Sequence, residues 1–462
     1  MPVQVDAPSS KSVSHRTALA AAMAPGQSTL FNVLSSQDIQ RTLACLSALG
    51  ADIAGEPEEV TINGLTGLGS GQPQSTEPAD LDVGESGTTC RLITPIAALT
   101  GRDCTIHGRG RMHERPIGAL TRVLEQLGVA FTWHGREGYP PFTLSSSGLN
   151  GGDVSISLEE SSQYLSGLLL AAPLAGGPLT IAISGDKAVS WPYVALTLQV
   201  MRDFGISPRV QTRTQDRWQD TPWEAITAVR PGEIRFLTQP GTYAPRSIKV
   251  EGDWSNASYL IASGLFLPQG VRVESLNCES LQGDRAFLDI LKTMGASPAC
   301  HGSSVTLLPA SLVGAELDMG SCPDLVPTVA VLASLAAGPT RISNVAHLRL
   351  KESDRLQALA TEIVKTGCRV DLCRDGLIIE PGPAPDGQDI AFATYGDHRL
   401  AMSLSLYGLA GVTVRLDDPS CVGKSFPAFW TTWERIAETG RETQLTSRPS
   451  HSRKPHQGSK DA

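Results

Sequence analysis

A short amphipathic pattern ending in glycine recurs along this chain every 72 to 90 residues. It reads LACLSALG to Gly50, LTRVLEQLG to Gly128 and LTLQVMRDFG to Gly205, then FLDILKTMG to Gly295 and LATEIVKTG to Gly367. Each copy predicts a helix with one apolar face, stopped where glycine lets the chain turn left-handed. FPAFWTTWERI at 426–436 is a sixth, terminal copy without the glycine. A second kind of helix alternates with these and is apolar nearly all round. Its copies are SHRTALAAAMA (14–24), TTCRLITPIAALT (88–100), SSQYLSGLLLAAPLA (161–175), SNASYLIASGLFL (255–267), PDLVPTVAVLASLAAG (323–338) and GDHRLAMSLSLYGLAG (396–411). A helix without a polar face belongs inside a fold. The alternation therefore predicts six copies of one unit, each with a buried and a surface helix. Short strands such as VEGDW, VRVESL, RISNVAH and GVTVRLD fill the gaps.

The longest interval holds an extra polar, Trp- and Pro-containing segment from Pro208 to Ser247, midway along the repeats. It marks the expected boundary between two three-repeat domains, 8–247 and 248–440, with residues 1–7 crossing to the second. The tail 441–462, RETQLTSRPSHSRKPHQGSKDA, is polar and aperiodic and reads as disordered.

At 462 residues the chain is long enough for two well-buried cores. A net charge of −9 argues against a nucleic-acid coat. The first residues, MPVQVDAPSS, carry neither the cationic nor the apolar region of a signal peptide, and no apolar run reaches membrane-spanning length. The nine cysteines form no CxxC pair and come no closer than Cys368 and Cys373. They are expected to be reduced core thiols in a cytoplasmic protein.

The six buried helices begin at small or acidic polar residues: Ser12, Ser86, Ser161, Ser255, Asp324 and Asp397. If the repeats share an orientation, their free N–H groups and positive dipole ends converge at one end of each domain. Cations recur at those same turns. Lys11 and Arg16 flank the first, Arg91 the second, and His398 with Arg399 the sixth, while Arg115, Lys351, Arg355 and Lys424 lie just outside. Singly, an Arg or Lys near a helix start is an ordinary surface residue, and Lys351 with Arg355 around Glu352 suits plain intrahelical pairing. As a set, in a net-acidic chain, they predict a focused positive cleft for a small, multiply charged substrate. VTVRLDDPSCVGKSF imitates a phosphate-binding P-loop, but Asp418 stands where that loop needs its first glycine. No metal-binding pattern appears.

SKSVSHR, GESGTTCR, RMHERPIG, SSQYLSGLLLAAPLA, EGDWSNASY, KESDRL, DHRLAM and GKSFP occur in one order across residues 3–438. In these the chain resembles the 5-enolpyruvylshikimate-3-phosphate synthase (3-phosphoshikimate 1-carboxyvinyltransferase) family. The resemblance implies an α/β fold, the two-domain inside-out α/β barrel of the enolpyruvyl transferases, with three βαβαββ units per domain. It implies transfer of the enolpyruvyl group of phosphoenolpyruvate to the 5-hydroxyl of shikimate 3-phosphate, with release of phosphate and no cofactor or metal. A monomer without nucleic-acid or membrane partners is expected.

By the same resemblance Lys11, Gly87, Arg91, Arg115, Gln163, Arg355, Arg399 and Lys424 would hold phosphoenolpyruvate. Lys11, Ser12, Arg16, Ser161, Ser162, Gln163, Ser190, Tyr193, Asp324 and Lys351 would hold shikimate 3-phosphate. Asp324 would be the base and Glu352 the proton donor, with Lys11 sharing the proton transfers. Because the residues come from both halves, domain closure on shikimate 3-phosphate is expected. Some positions depart from the family pattern: Ser9 replaces a Gly, His15 and Glu85 replace Asn, and His347 stands where Asn is frequent. Two alternatives stay open, the sister UDP-N-acetylglucosamine enolpyruvyl transferase and a non-catalytic anion-binding relative. The first usually carries a reactive Cys where Gly110 stands here.

Overall fold

The computed structural model describes residues 1–68, 75, 77–188, 190–227 and 229–447. Helices alternate between buried and surface positions along the chain. The first half holds α1 (Lys11–Met23), α2 (Gln37–Leu49), α3 (Gly87–Ala98), α4 (Gly118–Gln126), α5 (Gln163–Ala171) and α6 (Trp191–Asp203). The second holds α7 (Trp254–Ser263), α8 (Phe287–Thr293), α9 (Val326–Ser334), α10 (Arg355–Ile363), α11 (His398–Leu404), α12 (Leu406–Leu409) and α13 (Phe429–Ser447). The expected glycine stops are real: Gly50, Gly128, Gly205, Gly295 and Gly367 all have φ between 87° and 108°. There a side chain would strain the backbone.

Six small sheets carry these helices. In the second unit, strands Ala79–Asp82 and Cys104–His107 run parallel on either side of α3 in the chain. Strands Phe142–Ser145 and Ala130–Trp133 then add antiparallel. Five units share this plan, and the sixth holds two parallel strands, Asp389–Phe392 and Thr413–Leu416. Parallel neighbours need a crossover, and a helix supplies it.

Two units take their first strand from a distant part of the chain, the first unit from the end of its own half and the fourth from the N-terminus. Ser247–Lys249 lies parallel to Gln27–Phe31 of the first unit. Val3–Asp6 lies parallel to Val271–Glu274 of the fourth. The chain therefore crosses between halves twice, and the crossings touch, with Ser9 bridged antiparallel to Gly252. Buried apolar residues fall into two clusters, one from Val13 to Val250 and one joining Val5 and Ala7 to Trp254–Ile436. No helix among the described residues is long and apolar enough to cross a membrane.

Several expectations need correcting. The extra segment 208–247 is built into the third unit: Arg209–Thr214, Arg217–Asp220 and Ile234–Thr238 bring its sheet to five strands. The polar alternation of those strands is that of a sheet with one wet face. Since Ser247–Lys249 still pairs in the first half, residues 248 and 249 belong there. VEGDW is not a strand, because Trp254 opens α7 and Asp253 caps it. α13 runs on through residues 441–447 of the expected tail, and 448–462 lie outside the described residues.

The cysteines are not all thiols, since Cys278 and Cys300 form a disulfide. The loop after Val271–Glu274 runs beside the neighbouring hairpin, with Cys278 N donating to Gly302 O. Spacing in sequence held no sign of that proximity. The other seven cysteines are free.

Candidate active site

Helix starts from both halves meet at one cleft. Ser10 caps α1 through Val13 N, and Ser86 caps α3 through Thr89 N. Asp253 caps α7 through Asn256 N, and Asp397 caps α11 through Arg399 N. Two of these caps differ from the expected starts: Ser10 rather than Ser12, and Asp253 rather than Ser255. The Asp253 cap also reaches across the crossings, its Oδ2 accepting from Lys11 N at 2.8 Å.

Thirteen of the seventeen expected site residues line the cleft: Lys11, Ser12, Arg115, Ser161, Ser162, Gln163, Ser190, Tyr193, Asp324, Lys351, Glu352, Arg355 and Arg399. Lys424 lines an adjoining cavity that shares Arg115 and Glu352 with it. The remaining three stand behind. Arg16 is 1% exposed and donates to Thr197, Ser12 O, Ser166 and Tyr193 O, which ties α1 to α5 and α6. Arg91 donates to Gln163 Oε1 at 3.0 Å, so it orients Gln163. Gly87 faces the Arg115 guanidinium.

The centre is a chain of charge pairs joining the two halves. Arg355 donates to Asp397 Oδ2 at 2.8 Å, Glu352 Oε2 at 2.8 Å and Asp324 Oδ1 at 3.1 Å. Arg399 and the Tyr193 hydroxyl reach Asp324 Oδ2 at 2.8 and 3.0 Å. From the first half, Arg115 donates to Glu352 Oε1 at 3.3 Å. At the rims Lys11 pairs with Asp38, and Lys424 with Glu85.

The electrostatics follow from this wiring. Burial alone would raise the Asp324 carboxyl, but Arg399, Arg355 and Lys351 outweigh it and hold the group well below the usual carboxylate range. Glu352 is held low in the same way, burial being outweighed by Arg115 and Arg355. Burial brings the Lys351 ammonium down to about 8, against the pull of Asp324. His347 and His398, both at the cleft, are pushed down to about 3 chiefly by burial. Lys11, Arg115, Arg355, Arg399 and Lys424 are thus already matched to carboxylates, and an incoming dianion has to compete for them.

Sequence reasoning missed several cleft residues, among them Asp253, Asn256, Gln282 and Asp284. Asp253 could have been found as the acceptor two residues before Ser255, a better cap with Asn256 at the third position. Gln282 and Asp284 carried no signal, since they lie in a loop whose approach to the cleft is tertiary.

A cation-rich cleft between two repeat-built halves, with three carboxylates on one guanidinium, suits an enzyme that transfers a group between small polyanions. The family model for EPSP synthase (3-phosphoshikimate 1-carboxyvinyltransferase) matches residues 2–433. The chain belongs to that family. It is 39% identical over 427 residues to a 3-phosphoshikimate 1-carboxyvinyltransferase of Methanosphaerula palustris, covering 92% of this chain and 94% of the relative. A Marinomonas enzyme of the same name is 37% identical over 434 residues, with 94% and 96% covered. Among solved structures, EPSP synthase from Acinetobacter baumannii superposes with a TM-score of 0.71 at 25% identity, covering 94% of this chain and 95% of that one. An enolpyruvyl transferase from Streptomyces tendae shares the fold, with a TM-score of 0.67 at 19% identity over 94% of each chain.

Proposed function

We propose that the cleft moves the enolpyruvyl group of phosphoenolpyruvate onto the 5-hydroxyl of shikimate 3-phosphate, releasing phosphate. The observation that carries this is the placement of Asp324 and Glu352 on opposite arms of Arg355, amid cations from both halves. Both substrates carry a phosphate and a carboxylate, and planar guanidinium forks suit such groups. Arg115, Arg355, Arg399 and Lys424 take phosphoenolpyruvate, while Lys351, Ser161, Ser162, Ser190 and Tyr193 take shikimate 3-phosphate. Lys11 and Gln163 stand between them. Arg16, Arg91 and Gly87 act through the residues they hold.

Proton balance sets the remaining roles. The 5-hydroxyl loses a proton as it bonds to the phosphoenolpyruvate carbon that bears oxygen. The methylene carbon gains one, then returns one as phosphate leaves, so the transferred group ends as an enol ether again. Asp324 accepts from the hydroxyl, and Glu352 serves the methylene, with Lys11 sharing the transfers. Substrate anions draw Arg399, Arg355 and Arg115 away from these carboxylates. Their proton affinity then rises toward a working range, because desolvation is no longer offset.

The same reading has the chain working as a monomer in the cytosol. Seven free thiols favour that compartment and the Cys278–Cys300 disulfide is the exception to it; sedimentation velocity reads the oligomeric state directly.

Phosphate release on mixing the two substrates tests the function, with UDP-N-acetylglucosamine as control acceptor. Glu352→Gln is expected to cut kcat by about a hundredfold or more while calorimetry still detects both substrates. Near-normal turnover in that variant, or release only with the control acceptor, would refute the assignment.

A further inference from the structure

We propose that Asp284 holds a proton at neutral pH and uses it to aim the Tyr193 hydroxyl at Asp324, as a positioning residue for the transfer. The inference rests on the reading in which Asp324 is the base, and gives a task to a cleft carboxyl that reading leaves idle.

Asp284 lies in the short turn Gly283–Ala286 before α8 and is 3% exposed. The turn presses on the start of α6. A Cβ at residue 283 would stand 2.8 Å from Pro192 Cβ and 2.8 Å from Ser321 O, so only glycine allows the approach. It brings Asp284 Oδ2 to 3.1 Å from the Tyr193 hydroxyl, whose other partner is Asp324 Oδ2 at 3.0 Å.

A phenol has one proton and cannot donate to two carboxylates. One of the two contacts is favourable only if that carboxyl is protonated and donates to the phenol oxygen. Asp324 is the anion, since Arg355 and Arg399 both donate to it. Asp284 has no ion-pair partner among the described residues, and its Oδ1 is buried with no hydrogen-bond partner there. Ionised, it would be a nearly bare buried charge. Neutral, it donates one bond and leaves one idle acceptor, which costs far less.

The groups facing Asp284 are consistent with this. They are Tyr193 on α6, Asp324 before α9, Arg399 on α11, Asp253 at the cap of α7 and the Cys322 thiol. Burial first, and then the Asp324 charge, push the carboxyl up to about 8, more than Arg399 pulls it down. With the proton in place, Tyr193 keeps its own hydrogen on Asp324 and fixes that carboxylate's orientation. Once the proton leaves, Tyr193 lies between two anions and its aim is lost.

The test compares wild type, Asp284→Asn and Asp284→Ala between about pH 6 and about pH 9, reading phosphate release at saturating substrate. Saturation matters because Lys351, also near 8, acts through binding. Asn donates the same bond at every pH. Asp284→Asn is expected to hold kcat within about threefold of wild type at neutral pH and to abolish the alkaline fall in kcat. Ala cannot donate, and is expected to lower kcat about tenfold or more with KM changed less than about twofold. In parallel, infrared difference spectra of the unliganded proteins should show a neutral carboxylic acid band in wild type, missing from both variants and fading as pH is raised through about 8. An ionised Asp284 at neutral pH, or an alkaline limb that survives Asp284→Asn, overturns the proposal. Wild type that releases no phosphate would sink the reading of the function instead, and the infrared band alone would then decide Asp284.

Discussion

Gly87 and Arg115 show how a single methyl group can reach the chemistry. A Cβ at residue 87 would lie 2.3 Å from Arg115 Nη2 and 2.4 Å from its Cζ. Arg115 is 6% exposed and spans to Glu85 O and Glu352, so it cannot yield without losing those bonds. Gly87→Ala is therefore expected to raise KM for phosphoenolpyruvate about tenfold while KM for shikimate 3-phosphate moves less than about twofold. Steady-state kinetics with each substrate varied in turn reads this, and equal shifts in both would contradict it. At this scale the sequence was informative about which cations gather and silent about how each one points. Arg16 and Arg91 look like Arg399 in the sequence, all being cations on buried-helix starts. Their side chains instead turn toward α5, α6 and Gln163, because the acceptors that satisfy a buried guanidinium lie on other helices.

Among the elements, the helix starts do more than end helices. Asp253 accepts Asn256 N through Oδ1 and Lys11 N through Oδ2, both at 2.8 Å. One carboxylate thus caps α7 in the second half and restrains the first turn of α1 in the first half. Asp253→Ala is expected to lower stability by about 1–2 kcal/mol, seen as a lower urea midpoint with unchanged m-value. Asp253→Asn should recover most of it, having one acceptor oxygen left. A loss below about 0.3 kcal/mol in Asp253→Ala would mean that water replaces the cap freely. Helix bodies were legible because apolar periodicity is repeated over many residues. The caps at Ser10 and Asp253 were displaced by two residues, since a cap is a single hydrogen bond. The strands of 208–247 were hidden for another reason: short strands with a wet face look like loops in composition.

The whole molecule carries a pH liability in three buried histidines. His15, His347 and His398 are each 5% exposed or less, and burial leads the lowering of all three. A histidine lowered in the folded state binds its proton more readily in the unfolded chain. Stability is therefore full above the ordinary value near 6.5, and is lost as pH falls from there toward the lowered value of about 3. At pH 5, His347 and His398 each account for about 2 kcal/mol of lost stability relative to pH 7. Urea titrations at the two pH values should show His398 as a loss about 2 kcal/mol larger in wild type than in His398→Gln. The carboxylates held low by arginines add their loss only at more acidic pH, where they begin to protonate. The raised Asp284 carboxyl works the other way over the same range, so the histidine share is read as the difference between wild type and His398→Gln. The same pH 7 to 5 change in both would show His398 to be solvated.

Six units, their buried and surface helices, the glycine stops and the roster of cleft cations were all determined by the sequence alone. Each is a local property, repeated every 72 to 90 residues, so every copy reinforces the reading of the others. Tertiary structure alone decided that Cys278 meets Cys300, that residues 247–249 complete the first unit's sheet, and that Tyr193 joins Asp284 to Asp324. Those partners lie 91 and 131 residues from Tyr193 along the chain. A contact at such a distance leaves no periodic trace, because it depends on how two halves dock rather than on how either one coils.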